Sequence, residues 1–587
     1  MNNNYFAEDY VPGTTNIFTS SDDASSSHSG RPLKKNRNGI ILLPQPSDSP
    51  NDPLNWSAPR KMWHFFVVSF ITGLTAAISN DAGAAQDSLN EAYGISYDAM
   101  NTGAGVLFLF IGWSCIFFAP ASSLYGRRIT YIICILLGTL GSVWFALSKR
   151  TADTIWSQAF VGMSEACAEA QVQQSLVDIF FQHQLGSVLT VYIMATSIGS
   201  FLGPLIAHLI SETLGFRWVG WWGAIISGAT LIVVIFACEE TVFDRAKYFP
   251  VYSSGEAKDS ASNAPDSFDD LPGTVSKDTE MAEKKLEDGT EKTETVAVAT
   301  ERLGTMARGL LDIDCEIGRM REKNETPTSY RQRMALITPS SYLEGYGIRQ
   351  YVKRFIIYFK VFTLPAVWLL GILWGLQDAY MSFFLTTQDT FFYDAPWNYS
   401  GTGVAVMNVA TLVGAVIGCI MSGVLSDKHV LSLAKRNNGL YEPEYRLWLL
   451  FITMIISPVG LFMFGVGAAK GGEWPAWVVY GGLAFIGFGW GSIGDTAMSY
   501  LMDAYPEIVI QGMVGVSIIN NTLACIFTFV CSLWLDSAGT QNTYITLAVI
   551  DFVSIAFIVP TLYWGKSWRK KTKNLYIELV ELSNGMD

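Results

Sequence analysis

Twelve stretches of about 20 mostly apolar residues recur along this chain of 587 residues, and nothing constrains its fold more. A helix of about 20 such residues is long enough to cross the hydrocarbon core of a bilayer. Six stretches lie near 63–86, 101–123, 129–148, 154–179, 186–211 and 217–238. Six more lie near 361–386, 401–426, 446–469, 475–503, 508–535 and 542–565. The sequence thus predicts an all-α membrane protein with 6 + 6 transmembrane helices. Composition agrees, because only 16% of residues are charged and 50% are hydrophobic, whereas soluble domains run to roughly 25% charged. A fully soluble enzyme, a disordered scaffold and a disulfide-rich secreted protein are excluded. The net charge of -13 argues against nucleic acid as a partner.

The polar segments divide the chain. Residues 1–62 are rich in Ser and Pro, show no cleavable signal peptide, and read as a largely disordered tail. Residues 63–238 and 361–565 form the two six-helix bundles, and 566–587 form a C-terminal tail. The insert 239–360 carries 13 acids and five bases in its 256–301 part, a net of -8, and this part is expected to be disordered. Its 302–360 part is basic and is expected to include a helix before span seven. A solvated linker is the simplest reading of the insert, with phosphorylation of its Ser and Thr residues an open alternative. Of eight Cys, all fall in apolar runs except Cys315 in the insert, so no disulfide is expected.

Basic residues orient the chain. Arg60 and Lys61 precede span one, and Arg127 and Arg128 follow span two. Lys428, Lys435 and Arg436 follow span eight, and Lys566, Arg569, Lys570, Lys571 and Lys573 follow span twelve. Loops 87–100 and 387–400 carry Asp87, Glu91, Asp98, Asp389 and Asp394 without Lys or Arg; Lys149 and Arg150 are the main exception. Both termini are therefore expected in the cytosol. Two halves around a long insert suggest a transporter built from repeats. ASSLYGRR (121–128) and GVLSDK (423–428) echo each other at corresponding places.

Function is written in the intramembrane acids. A charge at mid-membrane costs about 2.5–3.5 kcal/mol on insertion scales and marks function by default. Asp81 lies late in span one, Glu165 and Glu169 in span four, Asp378 in span seven and Asp495 in span ten, with no Lys or Arg in the same stretches. A bound polycation or protons would neutralise them. Gln158, Glu165 and Glu169 are spaced by seven and four, which aligns them on one helical face. Glu165, Glu169 and Asp81 are the proton-coupling candidates. Trp374 stands four residues before Asp378, Tyr380 continues that helix, and Trp490 precedes Asp495 in FGWGSIGD (488–495). An alkylammonium wants a carboxylate for its head and an aromatic face for its flank, a contact worth roughly 0.5–2 kcal/mol. For any one aromatic, plain packing between helices is the competing reading. Arg127 and Arg128 are expected to meet Asp178 and lock an outward-open state, with Asp427 and Lys428 as the second-half equivalent. Asp503 reads as a cavity acid or a helix-terminal ion pair, and Asn520 and Asn521 as substrate ligands or helix ties. NYS (398–400) is a glycosylation sequon at Asn398 on a predicted outer loop. No metal cluster, nucleotide loop or nucleophile triad appears, so neither cofactor nor catalysis is expected.

Several motifs then resemble the major facilitator superfamily, in its fungal drug:proton-antiporter-like branch, over nearly the whole length. They are SPNDPLNWS (49–57), ASSLYGRR, GSFLGP (199–204), FRWVGWWGAIISG (216–228), EET (239–241) and PEYRL (443–447). Ser123 stands where an acidic residue is usual, and Ala207 and His208 where glycines are. Longer runs at 79–108, at 179–199 and at INNT (519–522) resemble the fungal polyamine importers of that superfamily. The resemblance implies a major facilitator fold with a central cavity lined by spans one, four, seven and ten, which would gather the five acids. It places Gln158 where an Arg linked to proton transfer is common; an Arg there would repel a polyamine. It implies a plasma-membrane importer of putrescine, spermidine and spermine, coupled to protons, monomeric in the bilayer. A multidrug:proton antiporter is the alternative, and would have a greasier cavity with one or two acids. A nutrient receptor signalling through the insert is a further one.

Overall fold

A computed structural model describes residues 10–16, 34, 42, 44–243, 245, 248, 326–338, 347–471 and 473–583. Segment 256–301 and Cys315 lie outside the described residues. The first half consists of span one, Ala58–Ser79, span two, Tyr97–Tyr125, and span three, Arg127–Ala146. Span four runs Thr151–Ala166, opens into a wide π turn at Cys167–Val172 and resumes at Gln173–Ile179. Span five is Gln182–Leu214 and span six Arg217–Ala237. The second half holds span seven, Pro365–Phe391, and span eight, Gly401–Ile420, which passes through a π turn at Met421–Leu425 into Ser426–Arg436. Spans nine to eleven are Leu450–Ala469, Ala476–Ala504 and Val509–Ala538. Span twelve, Thr540–Ala556, is continued by Ile558–Lys571.

Among the described residues, ten helices are long and apolar enough to cross a membrane. An eleventh is added if Ile348–Thr363 and Pro365–Gln388, bent by 82°, count as one span. Span four is missing from that set for a chemical reason. Gln158, Glu165, Glu169, Gln171, Gln173 and Gln174 make it too polar, yet it packs between spans two and three. A polar helix is tolerated inside a membrane protein where protein, not lipid, surrounds it.

The two halves repeat one pattern of neighbours. Spans one and five, two and four, three and four, and three and six pair in the first half; seven and eleven, eight and ten, nine and ten, and nine and twelve pair in the second. Two seams join the halves, span two against span eleven and span five against span eight. Glycines set the closest approaches. A Cβ on Gly199 would lie 2.1 Å from the Gly73 carbonyl oxygen of span one, which gives GSFLGP a packing role. Large apolar side chains are left exposed around the perimeter, as on span six with Trp218, Trp222, Ile225, Ile232 and Phe236. In water that would be a liability; against lipid it is the solvation the fold requires.

The described residues nearest the two ends meet on one face, here called the terminal face, with Lys573 Nζ 5.7 Å from the centre of the Tyr10 ring. The helix expected before span seven is Ile348–Lys360. It exposes Ile348, Val352, Ile356 and Phe359 at helical spacing, an arrangement suited to a bilayer interface. Residues 326–338 of the insert dock on the first half, where Thr338 N–H donates to the Tyr125 carbonyl at 3.0 Å. Two segments of the tail read as largely disordered are packed. Thr15 and Asn16 pair antiparallel with Tyr441 and Leu440, while Asp52 is fully buried and accepts from Ser47 Oγ at 2.9 Å and Arg245 Nε at 3.2 Å. The seven described cysteines are buried and free.

Candidate functional site

The π turn of span four sits at the centre of the polar interior. A π turn spreads the backbone and releases carbonyls from the helical ladder, and such turns are frequent at functional sites. Here the Ala168 carbonyl accepts from Tyr192 OH at 2.7 Å, and the Ala166 carbonyl from Cys115 Sγ at 3.5 Å. Glu165 and Glu169 flank the start of this turn. Glu165, 8% exposed, faces Ser79 of span one, and Glu169 faces Ser517 of span eleven. Asp378 of span seven lies close enough to repel both, so three carboxylates from the two halves converge. Asp378 accepts from Trp490 Nε1 of span ten at 2.6 Å and faces Asn520 of span eleven.

Several polar atoms around this trio have no hydrogen-bond partner: Glu165 Oε2, Glu169 Oε2, Asn520 Oδ1 and Trp374 Nε1. Three of the four are acceptors. An ammonium group is three donors and no acceptor, so the unfilled valences are those an alkylammonium satisfies. Phe201 of span five closes the group on one side, with its ring centroid 5.6 Å from Trp490 and 6.4 Å from Phe384.

The structure does not bring all five acids together. Asp495 is held elsewhere, accepting from Ser422 Oγ of span eight at 2.9 Å and Thr190 Oγ1 of span five at 3.3 Å. Asp81 follows the end of span one and turns toward span six, where a Cβ on Gly223 would stand 3.7 Å from its Oδ2. Tyr380 points away from the trio, into the second half, toward Asp551 and Ser554 of span twelve. Trp374, 3% exposed, packs over Gly494. Gln158 is buried beside Gly103 of span two. Asn521 donates to the Ser517 carbonyl at 2.9 Å and ties its own helix. Asn398 is exposed with a positive φ of 45°, and Ser400 Oγ of its sequon accepts from Gly403 N–H as a helix cap.

The basic residues divide differently from the expected pairs. Arg127 Nε stands 3.2 Å from Asp178. Arg128 does not join them; it donates to the carbonyls of Ala335, Met334 and Ile235, pinning the insert to span six. Lys428 is exposed, and Asp427 pairs instead with Arg446 at 2.8 Å. Arg446, from PEYRL, also binds Asp503. The second-half counterpart of Arg127–Asp178 is therefore Arg446–Asp503, in each case an Arg leading into the third helix of a half and an Asp near the end of its fourth. Asp427 touches the other half, because a Cβ on Gly186 of span five would lie 2.7 Å from its Oδ2.

Sequence reasoning passed over two features. Asp551 of span twelve is a further acid inside a span, fully enclosed, and its lone charge in an apolar run was signal enough. Phe201 carried no sequence signal, since one Phe among many apolar residues has no period of its own.

Comparison with known proteins follows the geometry. The family model described as Major Facilitator Superfamily matches residues 65–532. Protein HOL1 of Saccharomyces cerevisiae is 53% identical over 98% of this chain and 98% of its own. The uncharacterized MFS-type transporter C1271.10c of Schizosaccharomyces pombe is 45% identical over 98% of this chain and 96% of its own. The probable drug/proton antiporter YHK8 of Saccharomyces cerevisiae is 22% identical, covering 89% of this chain and 86% of its own.

Proposed function

The chain belongs to the major facilitator superfamily, and on that premise we propose that this membrane transporter imports polyamines and related organic cations, coupled to protons, by alternating access. The observation that carries the reading is the meeting of Glu165, Glu169 and Asp378 across the two halves. The helices bearing them contain no Lys or Arg. Putrescine, spermidine and spermine present two to four ammonium groups on flexible apolar stems, which suits several carboxylates beside Trp374 and Trp490. Glu165 and Glu169 take the proton role as well as the substrate. The terminal face is cytosolic and the opposite face, with its acidic loops, is external at the plasma membrane. The transporter works as a monomer.

Energetics favour the inward direction. Each positive charge gains about 2.3 kcal/mol per 100 mV of inside-negative potential, so a trivalent amine gains roughly 7. Drug:proton antiport is the second reading, supported by similarity to YHK8 at 22% identity; three converging acids are more than a greasy drug cavity calls for. Radiolabelled spermidine uptake in polyamine-starved, transporter-null cells tests the proposal. Expression should restore uptake, and collapse of the pH gradient at clamped potential should abolish accumulation. Uptake no higher than in empty cells refutes import, and accumulation indifferent to the pH gradient refutes proton coupling.

A further inference from the structure

Span seven is two-sided. Asp378 looks toward the trio, while the preceding residue, Gln377, looks into the second half, where its Nε2 donates to Asp551 Oδ1 at 2.8 Å. Asp551 is fully buried and its Oδ2 has no hydrogen-bond partner. The same holds for Gln377 Oε1, Ser457 Oγ of span nine and Tyr380 OH of span seven, each at most 1% exposed as a residue. These groups form one cluster. Ser457 and Gln377 face Asp551, and Tyr380 lies within its electrostatic reach. A Cβ on Gly489 of span ten would sit 2.4 Å from Ser457 Oγ and 3.0 Å from Gln377 Oε1. Among the described side chains of the neighbouring spans seven, nine, ten and eleven, Tyr380 is the titratable group that faces Asp551, and those spans carry no Lys or Arg.

Two of these oxygens, Asp551 Oδ2 and Gln377 Oε1, are acceptors only, while the hydroxyls of Ser457 and Tyr380 each bring one donor of their own. A single proton lets the first donate to the second. Added to Oδ2 from water, it makes an O–H that donates to Gln377 Oε1 or Ser457 Oγ, while Oδ1 keeps its bond from Gln377 Nε2. Loss of that proton turns the Ser457 hydroxyl onto Oδ2 and leaves Gln377 Oε1 without a donor; a buried acceptor left unmade is costly, so Gln377 shifts, and it carries the shift to Asp378 along one helix. We propose that Asp551 is a proton-binding carboxyl inside the second half, acting as a positioning residue through Gln377 on the substrate acid Asp378. A metal ion fits less well, since a sodium-sized ion asks for more oxygens than the cluster leaves free.

The inference rests on the transport reading above, so its test has one arm that does not. In the purified full-length protein, the infrared difference between wild type and Asp551→Asn should contain a neutral-carboxyl band that converts to a carboxylate band as pH rises. A band fixed in either form throughout the stable pH range overturns the proposal, whatever the protein transports. In the second arm, reconstituted Asp551→Asn should show gradient-driven spermidine accumulation reduced about tenfold relative to spermidine exchange, with Asp551→Glu restoring it. Equal loss of accumulation and exchange together with a lowered melting temperature would mean a purely structural group and would also overturn it. Wild-type vesicles that move no spermidine would refute the transport reading alone, with the infrared arm still deciding the fate of Asp551.

Discussion

Individual side chains at the trio differ in what they leave unmet, and binding should follow that difference. Glu165 and Glu169 each have an oxygen without a partner, whereas both oxygens of Asp495 accept from hydroxyls. Removing a buried charge from its partner costs 2–5 kcal/mol, so Glu165→Gln, Glu169→Gln and Asp378→Asn should each weaken spermidine binding by roughly 30-fold or more. Asp495→Asn should weaken it by less than about fivefold, because Ser and Thr hydroxyls can turn to accept from an amide. Isothermal titration of the purified protein checks both, and an Asp495 effect as large as that of Glu165 would contradict the division. Much of this was legible beforehand: charge in an apolar run marked the acids. The direction of Tyr380 was legible too, since two residues after Asp378 is about 200° around a helix, nearly the opposite face. The turning of Asp81 was not, because it follows the last helical residue of span one, where periodicity stops.

Several helix pairs meet backbone to backbone at glycines. A Cβ on Gly414 of span eight would lie 1.8 Å from the Ala484 carbonyl oxygen of span ten, and one on Gly487 would lie 2.0 Å from the Thr411 carbonyl oxygen of span eight. In lipid, helix association depends on such close packing because apolar surface alone gives no preference for protein over lipid. Gly487→Val should therefore cost about 1–3 kcal/mol or more, read as a lowered melting temperature of the purified transporter. Val at Gly215, where a Cβ meets nothing within 4 Å but φ is +96°, separates backbone strain from steric exclusion; it should leave the contact of spans eight and ten intact. Apolar runs located ten or eleven of the spans, but span one ends at Ser79 and not near 86, and span four is too polar to count as a span by composition. Hydropathy carried no trace of the π turns at Cys167–Val172 and Met421–Leu425. Those depend on which carbonyls find partners on other helices, as Ala168 does with Tyr192.

At the scale of the molecule, the question is what holds the halves together and what must part. The tail touches both halves, through Thr15 and Asn16 on the second and through Pro53–Asn55, packed on the end of span four, on the first. The seams are the better candidates. Span two meets span eleven near the opposite face through Asn101 and Ser532 at 3.2 Å. Span five meets span eight at the terminal face, where Thr190 abuts Gly423. Contacts of the halves at both ends enclose the trio between them. Alternating access then requires each end to open in turn, which a part-buried hydrogen bond such as that of Asn101 and Ser532, worth about 0.5–1.5 kcal/mol, permits. A disulfide between Asn101→Cys and Ser532→Cys should stop spermidine uptake, and reduction should restore it. With the seven described native cysteines buried and Cys315→Ser in the background, such a cross-link can form selectively. The bond closes only the opposite face, so spermidine added at the terminal face of inverted vesicles should still bind. Uptake that survives quantitative cross-linking would show that this seam stays shut throughout transport, and the opening would have to lie along spans five and eight.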